Sequence, residues 1–133
     1  MYAAFAALQF GPQGRVRHAL AGHPPVLHYS HVNASFHELC LEQFPLGLVP
    51  DAHFIAMEIN VEPGDLLVIA TDGISKRVTR KTRTSVQSLR NCVVSNATAP
   101  LSQLAANVLA VVAKWGKQQD DQTLLIVRCI SNA

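Results

Sequence analysis

The sequence has few cysteines, and their spacing is not that of a metal site. The three cysteines, Cys40, Cys92 and Cys129, lie far apart and form no CxxC pair. A zinc site is therefore not expected, and an odd, scattered set of cysteines does not make a disulfide framework. We interpret them as reduced thiols of a cytoplasmic protein, with Cys129 in the core.

Long apolar runs are also absent. Glycine, proline or charge interrupts each apolar stretch within about ten residues, whereas a membrane-spanning helix needs about twenty. The N-terminal run MYAAFAALQF has no basic segment and ends in a turn at 11–14. It predicts a buried strand rather than a signal peptide. No membrane association is expected.

Charge is sparse and unevenly distributed. Charged residues make up 15% of the chain and hydrophobic residues 49%, a balance that favours a compact fold over a disordered tail. The 133 residues fit a single domain, 1–133. Six of the eleven basic residues fall within 76–90, although the net charge is only +2. No aromatic residues interleave this stretch, so we interpret it as a solvated surface, with anion or nucleic-acid binding as the less favoured alternative.

Hydrophobic patterning predicts strands in the first half of the chain and helices mostly later. The run LLVIA (66–70) is apolar throughout, which is typical of a strand buried on both faces. Residues 15–31 are predicted to form a hairpin with an irregular turn, and Pro100 is predicted in the first turn of a helix that Gly116 ends. The predicted strands are 2–10, 15–21, 26–31, 34–40, 53–61, 66–70 and 124–130, and the predicted helices are 73–79, 84–94 and 100–115. This order favours the α+β class, a mainly antiparallel sheet or sandwich with helices on an outer face.

Acidic residues stand at the ends of two of these strands. Asp72 follows LLVIA within the segment ATDG, and Asp120 and Asp121 precede the strand TLLIV. If the two strands are antiparallel neighbours, these carboxylates converge, and converging carboxylates favour a hard cation such as Mg²⁺ or Mn²⁺ between them. The alternative is that each aspartate only caps a turn.

Four segments together resemble one protein family. They are ALAGHPPVL (19–27), FPLGLVPD (44–51), INVEPGDLLVIATDGIS (59–75) and QDDQTLLIV (119–127). In the same order and with suitable spacing, they resemble the AGHxPP, PLG, PGD-to-TDG and DDxT motifs of the SpoIIE-type branch of the PPM, or type 2C, metal-dependent serine/threonine phosphatases. The resemblance covers nearly the whole chain.

The resemblance implies a fold and a chemistry. The fold is an antiparallel β-sandwich flanked by helices, and the reaction is hydrolysis of phosphoserine or phosphothreonine by water activated at a Mn²⁺ or Mg²⁺ centre. By motif, Asp72 and Asp120 match metal ligands of the family and Asp121 lies beside them, while Thr71 and Gly73 shape the turn. The matching motifs assign no catalytic side chain, and His23 in the AGHPP segment is given a structural role. The implied substrates are bacterial phosphoproteins of stress signalling, such as antagonists of anti-sigma factors.

The sequence also departs from the family pattern. It contains no DxxGHG-type motif, whose aspartate bridges the two metals in the family, and its segment after TDG is basic rather than acidic. We therefore expect a domain truncated at its N-terminus, with Mn²⁺ or Mg²⁺ bound weakly or not at all and little activity alone. Its uncovered sheet edges predict a homo-oligomer. The alternative is a non-catalytic, oligomeric protein-binding module that retains the phosphatase fold.

Overall fold

The computed structural model describes residues 1–74 and 83–131, apart from the side chains of 83–86. Seven strands and two α-helices are found in these ranges. The strands are β1 (Phe5–Phe10), β2 (Arg15–Ala21), β3 (Val26–Ser30), β4 (Ser35–Leu39), β5 (Met57–Asn60), β6 (Leu66–Ala70) and β7 (Leu124–Arg128), and the helices are α1 (Arg83–Ser95) and α2 (Leu101–Ala113). A helical turn occupies residues 72–74, and the rest of the predicted helix 73–79 lies outside the described residues. No described helix has the length and apolar character needed to cross a membrane.

The strands form two antiparallel sheets. One has the order β1-β2-β5 and the other has the order β4-β3-β6-β7. The predicted α+β class, with an antiparallel sandwich and flanking helices, is confirmed. Strands β1 and β7 each lie at an edge, so each has a sheet neighbour on one side only among the described strands.

The predicted hairpin over 15–31 is wrong, because β2 and β3 belong to different sheets. Both edges of β2 are occupied, one by β1 and the other by β5, so no edge remains for β3. The chain leaves the first sheet at Gly22, which has a φ of +61° and donates its N–H to the carbonyl of Gln43. A Cβ at Gly22 would lie 2.4 Å from Cγ of Pro45, so this crossing requires glycine.

Strand β6 is covered on both faces, as its continuous apolar sequence predicts. Leu66 and Val68 belong to the cluster under the two helices, whereas Leu67 and Ile69 pack in the cluster between the sheets. The helix cluster also contains two buried residues of α2, Leu104 and Val108. The apolar core therefore has two layers, with β6 between them.

Two predicted boundaries differ in detail. Strand β5 is limited to Met57–Asn60, because the side-chain amide of Gln43 bonds both the N–H and the carbonyl of Ile55 and holds this segment outside the ladder. Helix α2 begins at Leu101, and Pro100 is the cap residue with extended backbone instead of a member of the first turn. Gly116, with a φ of +113°, follows the helix as expected.

The tight turn before β6 is held by a buried carboxylate. Asp65 is 3% exposed and accepts hydrogen bonds from the backbone N–H groups of Glu62 and His31. Nε2 of His28, itself buried, lies 2.8 Å from Oδ2 of Asp65. Burial alone raises the pKa of Asp65, but these hydrogen bonds and the nearby His28 lower it below its ordinary value.

Candidate functional site

The candidate site lies where β6 ends and β7 begins. The two strands are antiparallel neighbours, with Ala70 opposite Leu124. Their pairing continues by one step, because the N–H of Thr71 donates to the carbonyl of Thr123 at 3.0 Å. The N–H of Thr123 in turn donates to Oγ1 of Thr71 at 2.9 Å. The sequence predicts convergence of its acidic residues if these two strands are antiparallel neighbours. The sheet topology meets this condition.

Gly73 brings the two chain segments into direct contact. A Cβ at this position would lie 2.0 Å from the carbonyl oxygen of Asp121 and 3.1 Å from that of Asp120. The side-chain amide of Gln122 also lies 3.4 Å from the carbonyl of Gly73. Only a residue without a side chain permits this approach, so Gly73 sets the separation between Asp72 and the pair Asp120–Asp121.

The three aspartates are exposed to solvent. Their carboxylates are therefore in contact with water although each lies next to a strand of the core. Oδ1 of Asp120 accepts a hydrogen bond of 2.9 Å from the N–H of Asp121, and the Gln118 amide donates to the carbonyl of Asp120. These bonds order the loop that carries the acidic pair.

The donor chemistry at this place is suitable for a hard divalent cation, since carboxylate oxygen is the ligand that Mg²⁺ and Mn²⁺ prefer. The number of ligands is small, however. Within residues 1–74 and 83–131, no group of three or more His, Cys, Asp or Glu side chains has the arrangement of a metal site. Asp72 and the acidic pair thus provide oxygen donors from two strand ends but not a complete, preformed ligand set.

A groove of about 640 Å³ lies between the two sheets and reaches the junction of β6 and β7. Its walls are mainly apolar and come from the edge strands β1 and β7, including Phe5, Leu8 and Leu125. Its polar lining consists of Thr71, Asp72 and His23. The groove therefore combines an apolar approach with a small polar end at the junction of the strands.

The position of His23 in the groove was not predicted from the sequence. Strand β3 pairs with β6 with Leu27 opposite Val68. His23 precedes β3 by a few residues and lines the same groove as Asp72. The segment GHPP has the sequence of a turn, and turn chemistry alone does not indicate which strand end lies beside it. Knowledge that β3 pairs with β6 would have been the signal.

Comparison with solved structures defines the fold. The phosphatase domain of the cell fate determinant SpoIIE from Bacillus subtilis superposes with a TM-score of 0.73 at 16% identity, covering 98% of this chain and 58% of that one. The RsbU and RsbW domains of Rv1364c from Mycobacterium tuberculosis give a TM-score of 0.67 at 24% identity, covering 89% and 33%. At these identities the likeness concerns the fold, which is that of the type 2C phosphatase domains.

The family follows from the sequence comparison. The family model described as Stage II sporulation protein E (SpoIIE) matches residues 1–130, and the chain belongs to this family, which confirms the resemblance. Among curated proteins, the phosphoserine phosphatase RsbU of Bacillus subtilis is 25% identical over 113 residues. That match covers 84% of this chain but 34% of RsbU, so the chain spans about a third of that relative's length.

Proposed function

We propose that this chain forms part of a metal-dependent phosphatase domain that hydrolyses phosphoserine or phosphothreonine in a signalling protein of the cytoplasm. The observation that carries the proposal is the close contact of Gly73 with the Asp121 carbonyl, which brings two acidic strand ends together. Family membership and the similarity to a phosphoserine phosphatase support the same reading. A substrate of the anti-sigma antagonist type remains the one that the family resemblance favours.

In this proposal Asp72 and Asp120 hold the cation, and Asp121 orients the loop beside it. A bound Mn²⁺ or Mg²⁺ would supply an activated water and compensate the charge of the phosphate. Thr71 locks the two strand ends together through its hydroxyl, while Gly73 keeps them close. The apolar groove then accommodates the part of the substrate next to the phosphorylated side chain.

A second candidate is a non-catalytic module that binds protein partners. It is favoured by the small number of candidate ligands in the described part of the chain. The open edges of β1 and β7 also offer backbone groups for pairing with another chain. The two candidate functions differ in one measurable property, which is whether a divalent metal ion makes the purified chain hydrolyse a phosphate ester.

The test is Mn²⁺-dependent hydrolysis of a simple aryl phosphate by the purified chain and by Asp72→Asn. The matched control is Asp51→Asn, which makes the same change at an exposed aspartate that does not line the groove. Metal-dependent activity that Asp72→Asn abolishes and Asp51→Asn retains supports the phosphatase. Activity that is absent, or equal in the wild type and Asp72→Asn, favours the binding module.

A further inference from the structure

The polar end of the groove contains a histidine whose ring orientation is fixed. Nδ1 of His23 lies 2.7 Å from the carbonyl oxygen of Pro24. A carbonyl oxygen only accepts hydrogen bonds, so Nδ1 carries a proton and donates it. The other ring nitrogen, Nε2, has no hydrogen-bond partner among the described residues and is the atom left for a ligand in the groove.

His23 also differs from the other described residues of the groove in the charge that it can carry. Among its described lining residues, His23 is the one side chain that can become cationic, and Asp72 is acidic. The hydroxyl of Thr71 is already engaged with the backbone of Thr123 on both its donor and its acceptor side. Among the described side chains that line the groove, Nε2 of His23 is therefore the group best suited to bind an anion at the polar end.

We propose that His23 binds the phosphate group of the substrate through Nε2, an inference that rests on the proposed phosphatase function. Protonated, the ring donates Nε2–H to a phosphoryl oxygen in a charge-assisted hydrogen bond. Neutral, the same atom accepts a hydrogen bond from a P–OH group. His23 and Asp72 line the same groove, so the phosphate would lie between a cation held by Asp72 and the imidazole.

Two substitutions separate this role from a structural one. In His23→Asn the side-chain amide keeps a donor near the position of Nδ1, so the bond to Pro24 is retained while the groove nitrogen is lost. In His23→Gln the amide reaches the position of Nε2 and the bond to Pro24 is lost. Phosphate binding through Nε2 predicts that affinity falls in the order wild type, His23→Gln, His23→Asn. A turn-holding role predicts instead that His23→Gln is the more damaging change, visible as a lower melting temperature.

The experiment uses the full chain with saturating Mg²⁺ and inorganic phosphate as the probe, followed by the NMR signals of the histidine rings. His53, which is exposed and does not line the groove, is the internal reference. We expect phosphate to shift the His23 ring signals and leave those of His53 in place. We also expect His23→Asn to bind phosphate about tenfold more weakly, the loss of one charge-assisted hydrogen bond.

Separate titrations with Mn²⁺ distinguish failure of this inference from failure of the phosphatase proposal. Unchanged Mn²⁺ affinity in both His23 variants is expected. Weakened Mn²⁺ binding in His23→Asn would make His23 a metal ligand and overturn the inference. So would wild-type affinity for phosphate in His23→Asn, or His23 signals that phosphate does not move. If the wild type binds no Mn²⁺, the proposed phosphatase site itself fails.

Discussion

At the scale of single residues, Gly73 has the strictest steric requirement at the candidate site. Its backbone lies so close to Asp121 that an added methyl group would overlap a carbonyl oxygen at 2.0 Å. Backbone atoms move less readily than the end of a flexible side chain, so the two strand ends would have to separate. The residue therefore links the stability of the β6–β7 junction to the spacing of the aspartates.

We predict that Gly73→Ala lowers the free energy of unfolding by about 1–3 kcal/mol, the usual range for overpacking, and weakens Mn²⁺ binding with it. Urea denaturation and calorimetric titration measure the two effects. Gly11→Ala is the matched control, since a Cβ there would meet its nearest neighbour at an ordinary 3.5 Å. Equal stability and equal metal affinity in the two variants would contradict this role of Gly73.

Asp65 gives a prediction about pH. Burial alone raises its pKa, but the hydrogen bonds from Glu62, His28 and His31 lower it in the folded state. A carboxyl group whose folded pKa is lowered stabilises the fold at pH values above its unfolded pKa. That contribution is lost as the pH falls through the folded pKa, in the acid range below about 4.

We expect Asp65→Asn to cost about 1–3 kcal/mol at neutral pH, because an amide nitrogen cannot accept the hydrogen bonds that one carboxylate oxygen now receives. We also expect the variant to lose less stability on acidification below pH 4 than the wild type does. Urea denaturation at a series of pH values measures both. The prediction is contradicted if the difference between the two proteins is the same at every pH.

At the scale of elements, the strands were predictable and part of their pairing was not. The apolar run of β6 reflects its two covered faces, and this local property is visible in the sequence. Whether β2 pairs with β3 depends on whether distant strands already occupy the edges of β2, and one of these, β5, lies more than 30 residues further along the chain. His23 precedes β3, so its position in the groove also depends on the long-range pairing of β3 with β6. The local sequence GHPP predicts only a turn and does not indicate this pairing.

The adjacency of the two strand ends that carry the acidic residues was the part of the site more readily predicted from the sequence. It required only that β6 and β7 be antiparallel neighbours, and both strands have strong apolar patterns with an acidic residue at the adjoining ends. The exposure of Asp72 was not predictable in the same way. It depends on the direction in which the chain turns after Thr71, and local sequence does not fix this direction.

Arg128 joins β7 to the helical layer and supports a prediction for these elements. Its guanidinium donates to the carbonyls of Ala97 and Ala99, at 2.8 and 2.6 Å, in the connection between α1 and α2. Both bonds come from the same nitrogen, Nη2, and the shorter side chain of lysine ends about one bond before that position. We predict that Arg128→Lys lowers the free energy of unfolding by about 1–3 kcal/mol.

The matched control for this prediction is Arg17→Lys, which makes the same change at an exposed position of β2. Chemical denaturation of both variants measures the difference. The anchoring role is contradicted if Arg128→Lys is no less stable than Arg17→Lys.

At the scale of the whole molecule, two open sheet edges border the groove. Strands β1 and β7 are edge strands of different sheets, and both contribute to its walls. Phe5 is 47% exposed and Leu125 is 55% exposed. Unprotected apolar edges favour pairing with another chain, so we predict that the purified chain forms a dimer or higher oligomer.

Light scattering across a range of concentrations tests this prediction. We expect Leu125→Lys to shift the population toward monomer, because a charge on β7 opposes edge pairing. Phe44→Lys is the control, since Phe44 is 63% exposed but lies outside both edge strands. A wild-type chain that is monomeric at every concentration would contradict the prediction.

The central claim is that the ends of β6 and β7 form one cation site, and paramagnetic broadening by Mn²⁺ tests it most directly. In amide NMR spectra of the chain, small amounts of Mn²⁺ should broaden the signals of Asp72 and of Asp120 and Asp121 together. Asp72→Asn should remove the effect from both segments. Broadening confined to one segment, or equally strong in Asp72→Asn, would contradict a shared site.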